Sequence, residues 1–210
     1  SSTWTAYNNN NTNWIRKTEF NDSFYRLTYF KKGAFRTIGD EDDLRNLREY
    51  GEFTLTGDIY LTHPWDPINN FSGKLFGNGY TIYNLNINSK SKNISDNIGF
   101  FATANNATIQ DVTFVVGSNI DENGNAFDEN GKPYFKNKQD PNNENEIESN
   151  KYGIFLTRTD LNNDSALGVV IGKDNGSTLN NVNIKFSNKK GDTTINGIQT
   201  NLQYVGGLIG

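Results

Sequence analysis

Three short segments share one alternation of apolar and polar positions. TIYNLNI begins at Thr81, TIQDVTF at Thr108 and TLNNVNI at Thr178. Each reads Thr, Ile or Leu, any residue, Asn or Asp, Leu or Val, any residue, Ile or Phe. In the first copy a continuous strand with Ile82 inward would next bury Asn84 and Asn86. The apolar series resumes instead one residue late, at Leu85 and Ile87, so the phase changes at the asparagine. Strand, corner, strand describes this better than one long strand.

Glycine-led apolar runs accompany the copies: NIGFFA at 97–102, ALGVVIG at 166–172 and VGGLIG at 205–210. The first two copies start about 27 residues apart, a period typical of stacked repeats, and the second and third about 70 apart. The pattern therefore predicts an all-β parallel β-helix, a solenoid with each turn about 4.8 Å from the next. Asn84, Asp111 and Asn181 are expected to form a structural corner ladder. Asparagine tolerates left-handed dihedrals, and its side chain bonds a neighbouring backbone. Ile82, Ile109 and Leu179 are expected in one interior row.

Flanking patterns complete the outline. GDEDDLRNLREYG offers Asp40 as N-cap, acids in the first turn and Gly51 past the end, which predicts a short helix over 41–50 with Leu44, Leu47 and Tyr50 on its apolar face. EFTLTGDIYLT alternates as a strand, and two prolines in HPWDPI end it. FYRLTYF, from Phe24, alternates likewise. Residues 1–34 form a β-rich N-terminal segment, predicted with the helix to cap the first turn of the stack, which occupies 35–210. A hairpin-like insertion is expected at about 117–165, because its two DENG turns suit hairpins.

Composition sharpens this. About one residue in six of the 210 is asparagine, a poor helix former at home in turns. Hydrophobic content is only 34%, but aromatics reach 13%, enough for a core. The net charge of −4 gives no electrostatic reason to expect nucleic acid as a partner. No run approaches the roughly 18 apolar residues of a membrane helix. The chain starts without methionine or a signal peptide and is read as a piece of something longer. It has no cysteine, so thiol catalysis and thiolate metal sites are excluded.

Candidate chemistry is sparse. GNGYTI, at 77–82, lacks the Lys-Ser/Thr ending of a P-loop and the full dinucleotide fingerprint, so its glycines are read as a tight turn. DENGNAFDENGK places Asp121, Asn123 and Asn125 like calcium ligands, but Ala126 replaces the loop glycine and Lys132 the bidentate glutamate. His63 is the only histidine, which argues against a zinc site. Arg158, Asp160 and Asp164 are either an acidic cluster of a β-helical polysaccharide enzyme or a solvated turn. No protease or serine-hydrolase motif occurs. No residue is assigned to catalysis, a cofactor or a metal, and the chain is read as a non-enzyme.

The stretch EDDLRNLREYGEFTLTGDIYLTHPWDPINNFSGKLFGNGYTIYNLNI, then NIGFFATANNATIQDVTF and the closing VGGLIG, resembles bacterial surface proteins carrying GLUG repeats. Similar segments occur in adhesin-like autotransporters and in the non-catalytic β-helical region of immunoglobulin A proteases. The resemblance covers about 37–114 and, as further repeats, 166–210. Leu75-Phe76 departs from it, standing where an aspartate commonly precedes GNG. The resemblance implies an extracellular right-handed parallel β-helix at the bacterial cell surface.

The expected function is a non-catalytic binding and spacer module of a bacterial cell-surface adhesin. The alternatives are the non-catalytic N-terminal part of a larger secreted protease and a carbohydrate-active β-helix enzyme. The partner expected is a host-cell or matrix surface, or a second copy by self-association. Phe127, Tyr134 and Phe135, on the insertion, are the expected binding residues, because rings on a polar protrusion are favoured anchors.

Overall fold

The computed structural model describes residues 14–21, 24–31, 35–88, 91–92, 94–117, 126–127, 133–135, 151–157, 164–187 and 195–210, with backbone alone at 14–21, 24–31, 35, 126–127, 133–135, 151–152 and 195–196. The chain is all-β with parallel sheets, and its one helix among the described residues is short. In chain order the elements begin with β1 (Trp14–Asn21), β2 (Phe24–Lys31), β3 (Phe35–Ile38) and α1 (Glu41–Arg45). There follow β4 (Glu52–Leu55), β5 (Ile59–Tyr60), β6 (Lys74–Phe76), β7 (Thr81–Leu85), β8 (Phe101–Asn105) and β9 (Thr108–Val116). Next come β10 (Ala126–Phe127), β11 (Pro133–Phe135), β12 (Lys151–Leu156) and β13 (Ala166–Leu167). The last are β14 (Ile171–Asn175), β15 (Thr178–Phe186), β16 (Ile195–Thr200) and β17 (Tyr204–Val205).

Apart from the antiparallel pairs β1–β2 and β10–β11, every strand pair among the described residues is parallel. Parallel partners bring like residues side by side, and five apolar rows result. Phe53, Leu75, Ile109 and Leu179 form one. Ile59, Ile82, Phe114 and Ile184 form the second. Ile68, Phe101, Ile171 and Ile209 form the third. Ile87, Ile154 and Ile198 form the fourth, and Ile98, Leu167 and Val205 the fifth. Away from the last strands these side chains are buried to within a few per cent, save Ile68, which is partly buried against the others, and they supply the core. Aromatic stacking follows the same direction: Phe71 lies 4.1 Å from Phe101, and Trp65 lies 4.3 Å from Phe100.

The register corrects one expectation. Leu179 does sit beside Ile109, but Ile82 pairs with Phe114 and belongs to another row. The corner ladder divides in the same way. Asp111 and Asn181 both adopt left-handed backbone, at φ 53° and 50°, and the Asn181 amide donates to the Asp111 carboxylate at 2.9 Å. Their counterpart one layer earlier is Asn78 (φ 53°), held at the level of Asp111 because Gly77 and Gly79 donate to the carbonyls of Gln110 and Asp111. The Asn78 amide in turn donates to the Leu55 carbonyl. Gly77 is required there, since a Cβ would lie 2.3 Å from the Asp111 carbonyl oxygen.

Asn84 (φ 63°) makes a second corner, where the pairing of β7 with β9 slips by one residue between Ile82 and Leu85. Its amide donates to the Leu61 carbonyl, 23 residues back. The phase change at Asn84 is thus real, but it is an extra residue rather than a copy of the Asp111 corner. Local pattern alone could not separate the two, because both corners demand the same residue type.

Two boundaries also differ from expectation. The helix spans Glu41–Arg45 and not 41–50. Asp40 caps it as predicted, its carboxylate accepting from the Asp43 N–H at 2.8 Å. It ends at Asn46, whose side chain and backbone N–H both donate to the Asp42 carbonyl, while the Leu47 N–H turns to the Leu44 carbonyl three residues back instead of extending the α-helical ladder. Leu44 and Leu47 are buried regardless. EFTLTGDIYLT is two strands, β4 and β5, broken at 56–58, with Leu55 and Ile59 both buried on either side of the break.

The insertion, expected at about 117–165, contains a core strand. β12 pairs in parallel with β16 and buries Ile154 and Leu156. It is tied in by Asn86, whose carboxamide oxygen accepts from the Gly153 N–H at 2.6 Å. Gly153 sits at φ 123°, with the Gly197 carbonyl oxygen 2.1 Å from where a Cβ would be. β10 and β11 flank the second DENG, as a hairpin requires. No helix among the described residues is long and apolar enough to cross a membrane.

Candidate groove beside Trp65

The chain that leaves α1 runs opposite segment 65–69, and a groove of about 660 Å³ opens between them. One wall carries Arg45, Leu47, Arg48, Glu49 and Tyr50, and the other Trp65, Asp66, Pro67, Ile68 and Asn69. That volume lies within the range of small-ligand sites.

Both walls are held by bonds that need no ligand. Trp65 is buried, donates its indole N–H to the Phe100 carbonyl at 2.9 Å and stacks on the Phe100 ring. The Arg45 guanidinium lies 5.5 Å from the Trp65 ring centre, within cation–π reach. The same guanidinium donates to the Glu41 carboxylate (2.8 Å) and to the carbonyls of His63 (2.8 Å) and Pro64 (3.2 Å). Glu41 completes the clamp by accepting from the Thr62 N–H and hydroxyl. Short as it is, α1 is thereby locked to the segment that carries Trp65.

Other groups on the walls are uncommitted. The Arg48 guanidinium and the half-buried Asn69 amide have no hydrogen-bond partner among the described residues. Glu49 is exposed, its carbonyl already bound to the Ser72 N–H. Asp66 accepts from the Lys92 N–H, and its other oxygen lies 3.9 Å from Arg45. The groove is lined by two arginines, Arg45 and Arg48, and two carboxylates, Glu49 and Asp66, so it is polar without a dominant sign. It can hold a ligand through donors on Arg48 and Asn69 and acceptors on Glu49, Asp66 and Asn69.

The residues singled out from sequence fall elsewhere. Phe127, Tyr134 and Phe135 sit on the β10 and β11 backbones, and their side chains lie outside the described residues. Asp121, Asn123, Asn125, Lys132, Arg158 and Asp160 also lie outside them, and Asp164 is exposed. His63 is exposed, with Nδ1 2.8 Å from the Thr62 hydroxyl. No cluster able to hold a metal occurs among the described residues. Asn84, Asp111 and Asn181 are corner residues and do not line the groove.

Sequence reading named Tyr50 only as part of a helix face, and passed over Arg48 and Asn69. The one available signal was the Trp-x-Pro-Ile run facing an Arg-rich helix end. No family model, no curated protein and no solved structure matches the chain.

Proposed function

We propose that the chain is a non-catalytic binding and spacer module of a bacterial cell-surface adhesin, built as a right-handed parallel β-helix with residues 1–34 and α1 capping its first turn. The observation that carries the architectural part is the set of five parallel apolar rows. Bonds between successive layers join residues 23, 33 and then 70 positions apart, the last step being long because it includes the hairpin insertion. Repeated parallel stacking with variable excursions is the economy of a solenoid, a rigid rod whose insertions lie on its flank. A rod of this kind suits a spacer that projects a binding surface. The adhesin part rests on the resemblance of 37–114 and 166–210 to GLUG-repeat surface proteins.

The architecture is testable in solution because the chain has no native cysteine. Thr113 and Asn183 are direct partners on β9 and β15, so the pair Thr113→Cys, Asn183→Cys should oxidise to a disulfide. The pair Thr113→Cys, Asn180→Cys should not. Equal oxidation of both pairs would refute the register. The adhesin reading is tested by coating inert beads with the purified chain and measuring retention on epithelial cells and on matrix proteins. Retention no greater than with albumin-coated beads, for a chain that still melts cooperatively, would sink it.

A further inference from the structure

The groove between the α1 exit and segment 65–69 is the place where this molecule leaves polar groups unspent inside a braced concavity. We infer that it is a binding site for a neutral oligosaccharide. The inference rests on the reading of the chain as a binding module, and it names the ligand class and the place.

Charge decides first. An anion would meet Arg48 but also the carboxylates of Glu49 and Asp66, and a cation would meet those carboxylates but also two guanidinium groups. Neither ion gains from a site whose fixed charges cancel. A hydroxyl does gain, because it donates to a carboxylate and accepts from a guanidinium at once. A sugar ring presents several such hydroxyls at fixed spacing. Charge-assisted hydrogen bonds to them are stronger than neutral ones.

Shape and polarity agree. A groove of about 660 Å³ has room for a short saccharide. The half-buried Asn69 amide brings two donors and an acceptor, none of them used by a described residue. A ligand hydroxyl meeting that half-buried amide would take the place of water and bond it directly. The Tyr50 ring flanks the site and suits the C–H face of a pyranose, as aromatic faces suit other polarised C–H and cationic groups. Trp65 takes no part in contact, being buried and already stacked on Phe100. Its role is to hold the wall still, so that binding orders little new structure.

The test titrates the ¹⁵N-labelled full chain with four disaccharides: maltose, cellobiose, lactose and N,N′-diacetylchitobiose. At least one is expected to shift amide resonances of 48–50 and 66–69 while leaving those of 178–186 in place. Asn69→Ala and Arg48→Ala, both at positions outside the core, should each weaken that binding about tenfold, a loss of about 1.4 kcal/mol. The inference is overturned if none of the four sugars moves those resonances. It is equally overturned if binding is unchanged in both variants, or if inorganic phosphate or a lysine-rich peptide shifts the same amides more strongly than any sugar. Bead retention on cells, measured on the same variants, separates the two proposals. Sugar binding without cell retention removes the adhesin reading only, and retention without sugar binding removes this site only.

Discussion

β9 and β15 carry the same pattern in the same register, yet one is core and the other is not. In β9, Ile109, Val112, Phe114 and Val116 are all essentially inaccessible. Their direct partners in β15, namely Leu179, Val182, Ile184 and Phe186, are only partly covered, and Phe186 is 48% exposed. The difference lies in neighbours. β9 has β6 and β7 on one side and β15 on the other, whereas β15 pairs only with β9 among the described strands. Among the described residues, five of the six large exposed hydrophobics lie on β15 or near the end of the chain: Phe186, Tyr204, Val205, Leu208 and Ile209. A strand of these parallel sheets is therefore buried by having paired strands on both sides, and its own alternation only chooses which face receives that cover.

This contrast predicts unequal responses to equal truncations. Phe114→Ala should cost about 3–5 kcal/mol, because it empties a site packed against Phe100 and flanked by Ile82 and Ile184. Ile184→Ala, one layer on, should cost about 1 kcal/mol, since the side chain is only partly out of water. Urea midpoints at unchanged m-value measure both. Equal losses would mean that β15 is covered in solution as thoroughly as β9.

A second pair uses backbone contact. Gly77→Ala should cost about 2 kcal/mol or more, because the new methyl would press on the Asp111 carbonyl and the Val112 side chain. Gly207→Ala meets nothing within 4 Å and should stay within about 0.5 kcal/mol of the parent. Thermal midpoints that fall together would show that the last layer is not open.

The smallest effect sharpens the comparison by cancelling it. Asp111 and Asn181 hold the same left-handed backbone, so Ala at either should cost about 1–2 kcal/mol, with Gly restoring most of it. Corner strain is local, and the position of a layer in the stack should not matter to it. A loss confined to Asp111 would place the cost in packing instead.

Particular residues show what could be read in advance. The αL tolerance of asparagine marked Asn84, Asp111 and Asn181, and all three take positive φ, although Asn84 does not align with the other two. Asn78 was missed because GNG looks like any glycine turn, and its equivalence to Asp111 exists only through bonds from Gly77 and Gly79 to the next layer. Asn70 and Asn106 also take positive φ, and both lie outside the three repeat copies that marked the other corners. β12, KYGIFL, fell inside the expected insertion at about 117–165, and its place in the core rests on Asn86 and Gly197 from distant parts of the chain. The groove was the least legible, since Arg48 and Asn69 have no shared motif and meet only across two layers.

The sequence by itself determined the strand type, the apolar faces, the helix cap at Asp40 and the need for left-handed corners, because each depends on the dihedral and side-chain preferences of a few consecutive residues. Only the tertiary structure decided which strand neighbours which, why Ile82 aligns with Phe114 rather than Ile109, which layer is left half-covered, and where polar groups converge on a groove. Those outcomes depend on contacts between residues up to 70 positions apart, about which a local pattern carries no information.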